Sequence, residues 1–287
     1  MLLSELLGKS ASVALVWAPE KLTENSMGRV LVISSFVAKG TVGLQAALPA
    51  FAAAGIETVA LPTVLLSNHP GFAACAGTQI ACETLDAMLD ALDANGWLSS
   101  IDAIFTGYLP SADNVRFARG AVERVKAANA MVLYLADPVL GDDPEGLYVS
   151  HDAAIAVRDV LVPLAAITTP NRFELAWLSG RDVIDRTTAV SAARNLGVPH
   201  VAATSIPAGD EHLENVLVSG GEATVETVAR RAAAPHGTGD YFAGALLAAL
   251  LRGACYADAM AAASRLTDRL VAASQHRSDL EFAAVHN

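Results

Sequence analysis

The segment His236-Gly237-Thr238-Gly239-Asp240 joins an irregular Ala/Pro stretch to a strongly apolar run and holds residue types suited to phosphoryl transfer. Its two glycines let the backbone turn sharply and leave N–H groups bare at the start of the helix expected to follow. Unpaired donors and the helix dipole together make an anion site. In phosphoryl transfer the charge spreads over the equatorial oxygens of the moving group, where preorganised donors stabilise it. Asp240 in the same turn can accept the proton of an attacking alcohol. The transition state is loose and the proton leaves late, so positioning outweighs basicity. The helix start is expected to keep Asp240 ionised. Taken alone, Gly239-Asp240 reads first as an ordinary helix N-cap, because Asp is a favoured capping residue.

A second carboxylate, Asp137, follows the apolar run Val132–Ala136 and so falls at the C-terminal end of an expected strand. Ligands of open α/β sheets bind at that edge; the competing reading is a turn-forming Asp-Pro step. Other motifs fail. Gly8-Lys9-Ser10 resembles the end of a P-loop, but position 3, where the first glycine belongs, is Leu3. Gly40-Thr41-Val42-Gly43 lacks the third glycine of a dinucleotide fingerprint. Ser34-Ser35 has no G-x-S-x-G context, and no H-E-x-x-H occurs.

Among the elements that must position these groups, strand-like and helix-like runs alternate. Strands are expected at Arg29–Ser35, Glu57–Pro62, Ile101–Thr106, Met131–Ala136, Ala166–Thr168 and His200–Thr204. Helices are expected at 41–54, 80–95, 112–129, 151–161, 172–179 and 187–196. The alternation implies right-handed crossovers and a mostly parallel central sheet covered on both faces, a three-layer α/β/α fold. Gly220-Gly221, between Asn215–Ser219 and Glu222–Val228, reads as a two-residue hairpin turn and hence an antiparallel edge. Apolar helices at 238–251 and 256–274 close the chain.

The 287 residues are 53% hydrophobic and 17% charged, which suits a large core. Residues 1–27 read as an N-terminal extension and 28–287 as a single domain, since no linker or repeat divides them. Nineteen basic against thirty acidic residues give a net charge of −11, which argues against a nucleic-acid partner. Apolar stretches are short and interrupted, so no membrane span is expected. Cys75, Cys82 and Cys255 form no C-x-x-C pair, and their odd number favours a reducing, cytoplasmic setting over a disulfide framework.

From about Val30 to the last helix the chain resembles the ribokinase-like superfamily, and within it the pyridoxal kinases. Five segments in order carry the resemblance: Ser34-Ser35-Phe36-Val37, Gly107-Tyr108-Leu109, Asp137-Pro138-Val139-Leu140-Gly141-Asp142, Thr169-Pro170-Asn171-Arg172-Phe173-Glu174 and Gly237-Thr238-Gly239-Asp240. The resemblance implies Gly237, Thr238 and Gly239 as the anion hole and Asp240 as the base. Asn171 and Glu174 are similar to that family's magnesium and phosphate element, with Glu174 acting on the ion through water. Otherwise Glu174 reads as an acidic first-turn residue of a surface helix. Asp137 is implied as a second cation and phosphate residue, and Thr169, Thr204 and Ser205 as nucleotide contacts. Ser35, Gly43 in the loop beneath it, His69 and Tyr108 are implied on the acceptor side. The competing readings are core packing for Tyr108 and a capped surface loop for His69.

The implied activity is transfer of the ATP γ-phosphoryl group to the hydroxymethyl of pyridoxal or another B6 vitamer, with ATP and Mg²⁺, a monovalent cation as a further ion, and a homodimeric assembly. Three residues depart from the family's pattern. Phe36 stands where His is frequent, Lys39 where an aromatic or basic residue varies, and Pro70 where Thr is common. They leave a sibling kinase for hydroxymethylpyrimidine, a sugar or a nucleoside open, as well as a non-catalytic B6-binding protein. Apolar Phe36 and Tyr108 favour a flat aromatic acceptor over a sugar.

Overall fold

The computed structural model describes residues 28–231 and 234–285; the extension expected at 1–27 lies outside them. The first strand, β1 (Arg29–Lys39), shows how the layers arise. Its side chains alternate between faces. Val30 and Val32 pack with α1 (Leu44–Ala53), α7 (Thr238–Leu251) and α8 (Tyr256–Ala273). Leu31 and Ile33 pack on the other side with α2 (Cys82–Ala94) and α3 (Ala112–Ala128). Both faces are apolar, as a strand covered by helices on both sides requires.

The remaining strands are β2 (Glu57–Asn68), β3 (Gly77–Gln79), β4 (Ala103–Thr106), β5 (Leu133–Ala136), β8 (Ile167–Thr168), β9 (His200–Pro207), β10 (His212–Ser219) and β11 (Glu222–Ala229). A short hairpin, β6 (Gly141–Asp142) and β7 (Gly146–Leu147), stands apart. The nine-stranded sheet runs β11-β10-β9-β8-β5-β4-β1-β2-β3. Strands β9, β8, β5, β4, β1 and β2 are parallel, and antiparallel strands close both edges. The remaining helices are α4 (His151–Ala156), α5 (Arg172–Ser179) and α6 (Arg186–Asn195). Because β1 lies between β2 and β4, the strand order reverses there, and the crevice at their C-terminal ends is the expected ligand site.

The expected hairpin is present: Ser219 pairs with Glu222 across Gly220-Gly221, both with positive φ. The strand ends that differ most from expectation are those of β1 and β2. β1 and β2 continue to Lys39 and Asn68 because they pair with each other beyond an irregularity: Ser34 faces Pro62, Phe36 faces Leu65, and β2 carries one residue more between them. Pro62 has no N–H to donate, so the break in the ladder coincides with it. Ser35 therefore sits within β1 rather than at its end, and Ser67 and Asn68 belong to β2. Strand β3 and the β6–β7 hairpin were not legible as periodic runs; they are too short to show one.

Candidate active site

The start of α7 is held by close backbone packing. Gly237 has φ 95°, and a Cβ there would lie 1.6 Å from the Thr41 carbonyl oxygen, so only glycine seats the helix against the β1–α1 loop. That loop folds back on β1: a Cβ on Gly43 would lie 2.1 Å from Ser35 Oγ. The Gly43 N–H donates to the Asp240 carboxylate, which joins Ser35, Gly43 and Asp240 in one crevice. Sequence reading placed Gly43 beneath the expected acceptor but missed this bond to Asp240.

Asp240 is 9% exposed, and its Oδ1 is buried without a partner. Burial raises its pKa to about 6, and the Gly43 N–H opposes that rise. At about 6 the carboxyl is still mostly ionised at pH 7, though desolvation lifts it above the ordinary carboxylate range. Gly239 differs from Gly237, since a Cβ there would meet nothing within 4 Å.

The second carboxylate pair is built by the Asp137–Asp142 loop and the start of α5. Asn171 caps α5 in a capping box, its Oδ1 accepting from Glu174 N (2.9 Å) while Glu174 Oε2 accepts from Asn171 N (2.9 Å). Glu174 Oε1 accepts from Leu140 N (2.7 Å), and Asn171 Nδ2 donates to the Gly141 carbonyl (2.8 Å). These bonds hold the loop in a shape that includes Val139 at φ 44°, a strained position for a β-branched residue. Glu174 is only 4% exposed, so the surface-helix reading is wrong. Its pKa rises to about 7, mainly through burial.

Asp137, at the end of β5, accepts from Thr169 Oγ1 at 2.8 Å through Oδ1, while Oδ2 is buried without a partner. Its carboxyl is pushed well up, first by burial and then by the charges of Glu174 and Asp240. Asp137 thus lies close enough to feel the charges of both other acids. Thr204 bridges to Asn171 and donates its N–H to Pro170 O (2.9 Å), which brings Thr204 and exposed Ser205 to the same rim.

On the acceptor side Tyr108 is locked by its backbone: its N–H donates to Ser34 Oγ (3.1 Å) and its carbonyl accepts from Thr63 Oγ1 (2.9 Å). Its phenol is pushed up by burial. His69 stacks on His236, the residue before the glycine turn, with centroids 4.1 Å apart. Its Nδ1 accepts from Gly71 N (3.1 Å), so the neutral ring carries its proton on Nε2. Its pKa is lowered by burial and by His236. The Gly71 bond is the local loop cap that was the competing reading, and the stack in addition sets His69 beside the residue preceding the glycine turn. Among the departing residues, Phe36 packs against the α1–α7 core, Lys39 pairs with Asp279, and Pro70 is exposed.

Among the described residues no three His, Cys, Asp or Glu side chains converge as a metal cage. Mg²⁺ is bound through one or two carboxylates plus waters and phosphates, so the partnerless oxygen of Asp137 suits it.

The phosphomethylpyrimidine kinase family model matches residues 38–282. A pyridoxine/pyridoxal/pyridoxamine kinase of Bordetella avium is 37% identical over 259 residues, 88% of each chain. The pyridoxal kinase of Leishmania donovani in complex with ADP and pyridoxamine has TM-score 0.81 and 29% identity, covering 90% of this chain and 92% of that one. The pyridoxal kinase of Entamoeba histolytica has TM-score 0.84 at 25% identity, covering 90% of this chain and 94% of that one. With the glycine turn, the paired carboxylates and the sheet order in place, the chain belongs to the pyridoxal kinase family.

Proposed function

We propose that this chain is an ATP-dependent kinase that phosphorylates the hydroxymethyl group of a B6 vitamer. The observation that carries the reading is the partnerless carboxylate oxygen of Asp240, held by Gly43 beside Ser35 at the switch point of the sheet. Asp240 takes the proton of the acceptor hydroxyl as its oxygen bonds to the γ-phosphorus and the bond to ADP breaks. The amides of Gly237, Thr238 and Gly239 hold the transferring oxygens; the open space beside Gly239 supports their access. Asp137, together with Glu174 acting through water, would hold Mg²⁺, which neutralises phosphate charge when bound. Thr169, Asn171, Thr204 and Ser205 line the nucleotide side, and Ser35, Gly43, His69 and Tyr108 the acceptor side; a monovalent cation belongs to the same reading.

The described residues act as one kinase domain in this reading, since a single sheet spans them. Free Cys75, Cys82 and Cys255 support a reducing, cytoplasmic setting. A homodimer completes the reading, with exposed Leu65 of β2 and Phe72 of the β2–β3 connection as its apolar surface. Sedimentation of the purified chain as a dimer checks this, and a monomer at working concentration rules it out. A second reading, hydroxymethylpyrimidine as acceptor, is favoured by the description of the matching family model. An assay of ADP release across pyridoxal, pyridoxine, pyridoxamine and hydroxymethylpyrimidine decides between them. Turnover with the vitamers supports the first reading, and turnover with the pyrimidine alone overturns it.

A further inference from the structure

The rim residue Ser205 has an uncommon backbone. It is exposed, lies near the C-terminal end of β9, and has φ 61°, left-handed for a non-glycine residue. The cause is a bulge. Ile206 faces Glu214 and Ala203 faces Val216, so Thr204 and Ser205 on β9 oppose the single residue Asn215 on β10. Bulges recur beside active sites because they re-aim a side chain at the cost of a ladder bond. Here that lost bond is replaced from the side chain opposite: Asn215 Oδ1 accepts from Ser205 N at 3.3 Å. The Asn215 amide is oriented in turn by its Nδ2, which donates to Ser264 Oγ on α8 at 3.1 Å. Asn215 is 7% exposed and Ser264 2%, so neither reaches a ligand and neither has water to replace a lost partner.

We propose that Asn215, oriented by Ser264, is a positioning residue for the nucleotide: it holds Ser205 in its left-handed conformation and so aims the β9 rim at the phosphates of ATP. The proposal rests on the ATP-dependent kinase reading. Asn215 acts through Ser205 and has no path to the acceptor side, where Ser35, Tyr108 and Asp240 are placed by β1, β4 and α7. Its removal should therefore separate the two substrates, which a general loss of stability does not do.

The test is ADP binding with Mg²⁺ by titration calorimetry, beside steady-state kinetics, on the full chain as wild type, Asn215→Ala and Ser264→Ala. Asn215→Ala should weaken ADP and raise the KM for ATP by about tenfold, as loss of one buried hydrogen bond implies, with the KM for pyridoxal unchanged. Ser264→Ala keeps the acceptor on Asn215 but frees its amide, and should weaken ADP by about threefold with the same split. It decides the matter if Asn215→Ala does not fold. Wild-type ADP affinity in the variants, or equal losses toward ATP and pyridoxal, overturns the proposal. A wild type that binds ADP yet phosphorylates no vitamer overturns the kinase reading instead, and the ADP comparison then still judges Asn215.

Discussion

Glu174 and Asp240 are buried carboxylates of the same cleft, and their surroundings make them different instruments. Both oxygens of Glu174 accept backbone N–H groups, from Leu140 and Asn171, and so fasten a strained loop to the start of α5. Asp240 receives the Gly43 N–H and keeps Oδ1 without any partner. A buried polar atom left unpaired costs about 1–3 kcal/mol, and the fold bears that cost at Asp240 as it does at Asp137 Oδ2. The contrast separates a carboxylate that shapes the site from the one proposed above to react in it.

The largest expected effect tests the reacting side. Asp240→Asn keeps an oxygen for Gly43 but cannot take a proton, so kcat should fall by roughly 10²–10⁴ with ADP affinity nearly unchanged. Near-normal turnover would break the contrast at once. Next comes Gly237→Ala, where backbone strain and the collision with Thr41 should destabilise by about 2–5 kcal/mol in denaturant unfolding. On the shaping side, Glu174→Gln offers one acceptor where two donors point. It should lose about 1–3 kcal/mol of stability. A variant as stable as wild type, yet inactive, would move Glu174 into the reacting class.

A pH series sharpens the same comparison. The folded pKa values of Asp240 (about 6) and Glu174 (about 7), and the raised value of Asp137, lie above those of the unfolded chain. Folding therefore takes up protons, and this contribution is fully present below the unfolded values near 4 and lost as pH rises through 6 to 7. The ligand-free protein should lose several degrees of Tm between pH 5 and 8. Mg²⁺ should restore part of it at pH 8, and a Tm that rises over this range contradicts the carboxylate cluster. The vitamer kcat/KM should fall below about pH 6 as Asp240 becomes protonated. The smallest effect belongs to Gly239→Ala, whose Cβ meets open space. Stability should stay within about 0.5 kcal/mol, while any loss of rate reports access to the amides.

Much of the site was legible because its signals are local. The Gly237–Asp240 turn, the Asn171–Glu174 cap and the Gly220-Gly221 hairpin each depend on residues a few positions apart, and each stands where the chain placed it. His69 is the opposite case. Its stack with His236 joins segments far apart in the chain, and no periodicity marks it. The continuation of β1 and β2 beyond Ser35 and Pro62 escaped for the same reason, since each half is strand only because the other lies beside it.

Turn chemistry and strand–helix alternation were thus set by sequence alone, since φ preference, capping and side-chain period act over a few residues. Only the tertiary structure decided which carboxylate oxygens are bound and which are left bare, and that burial raises the pKa of Asp240 against the Gly43 N–H. Those outcomes depend on water excluded by β1, α1 and α7 together, and desolvation belongs to the packed assembly rather than to any stretch of chain.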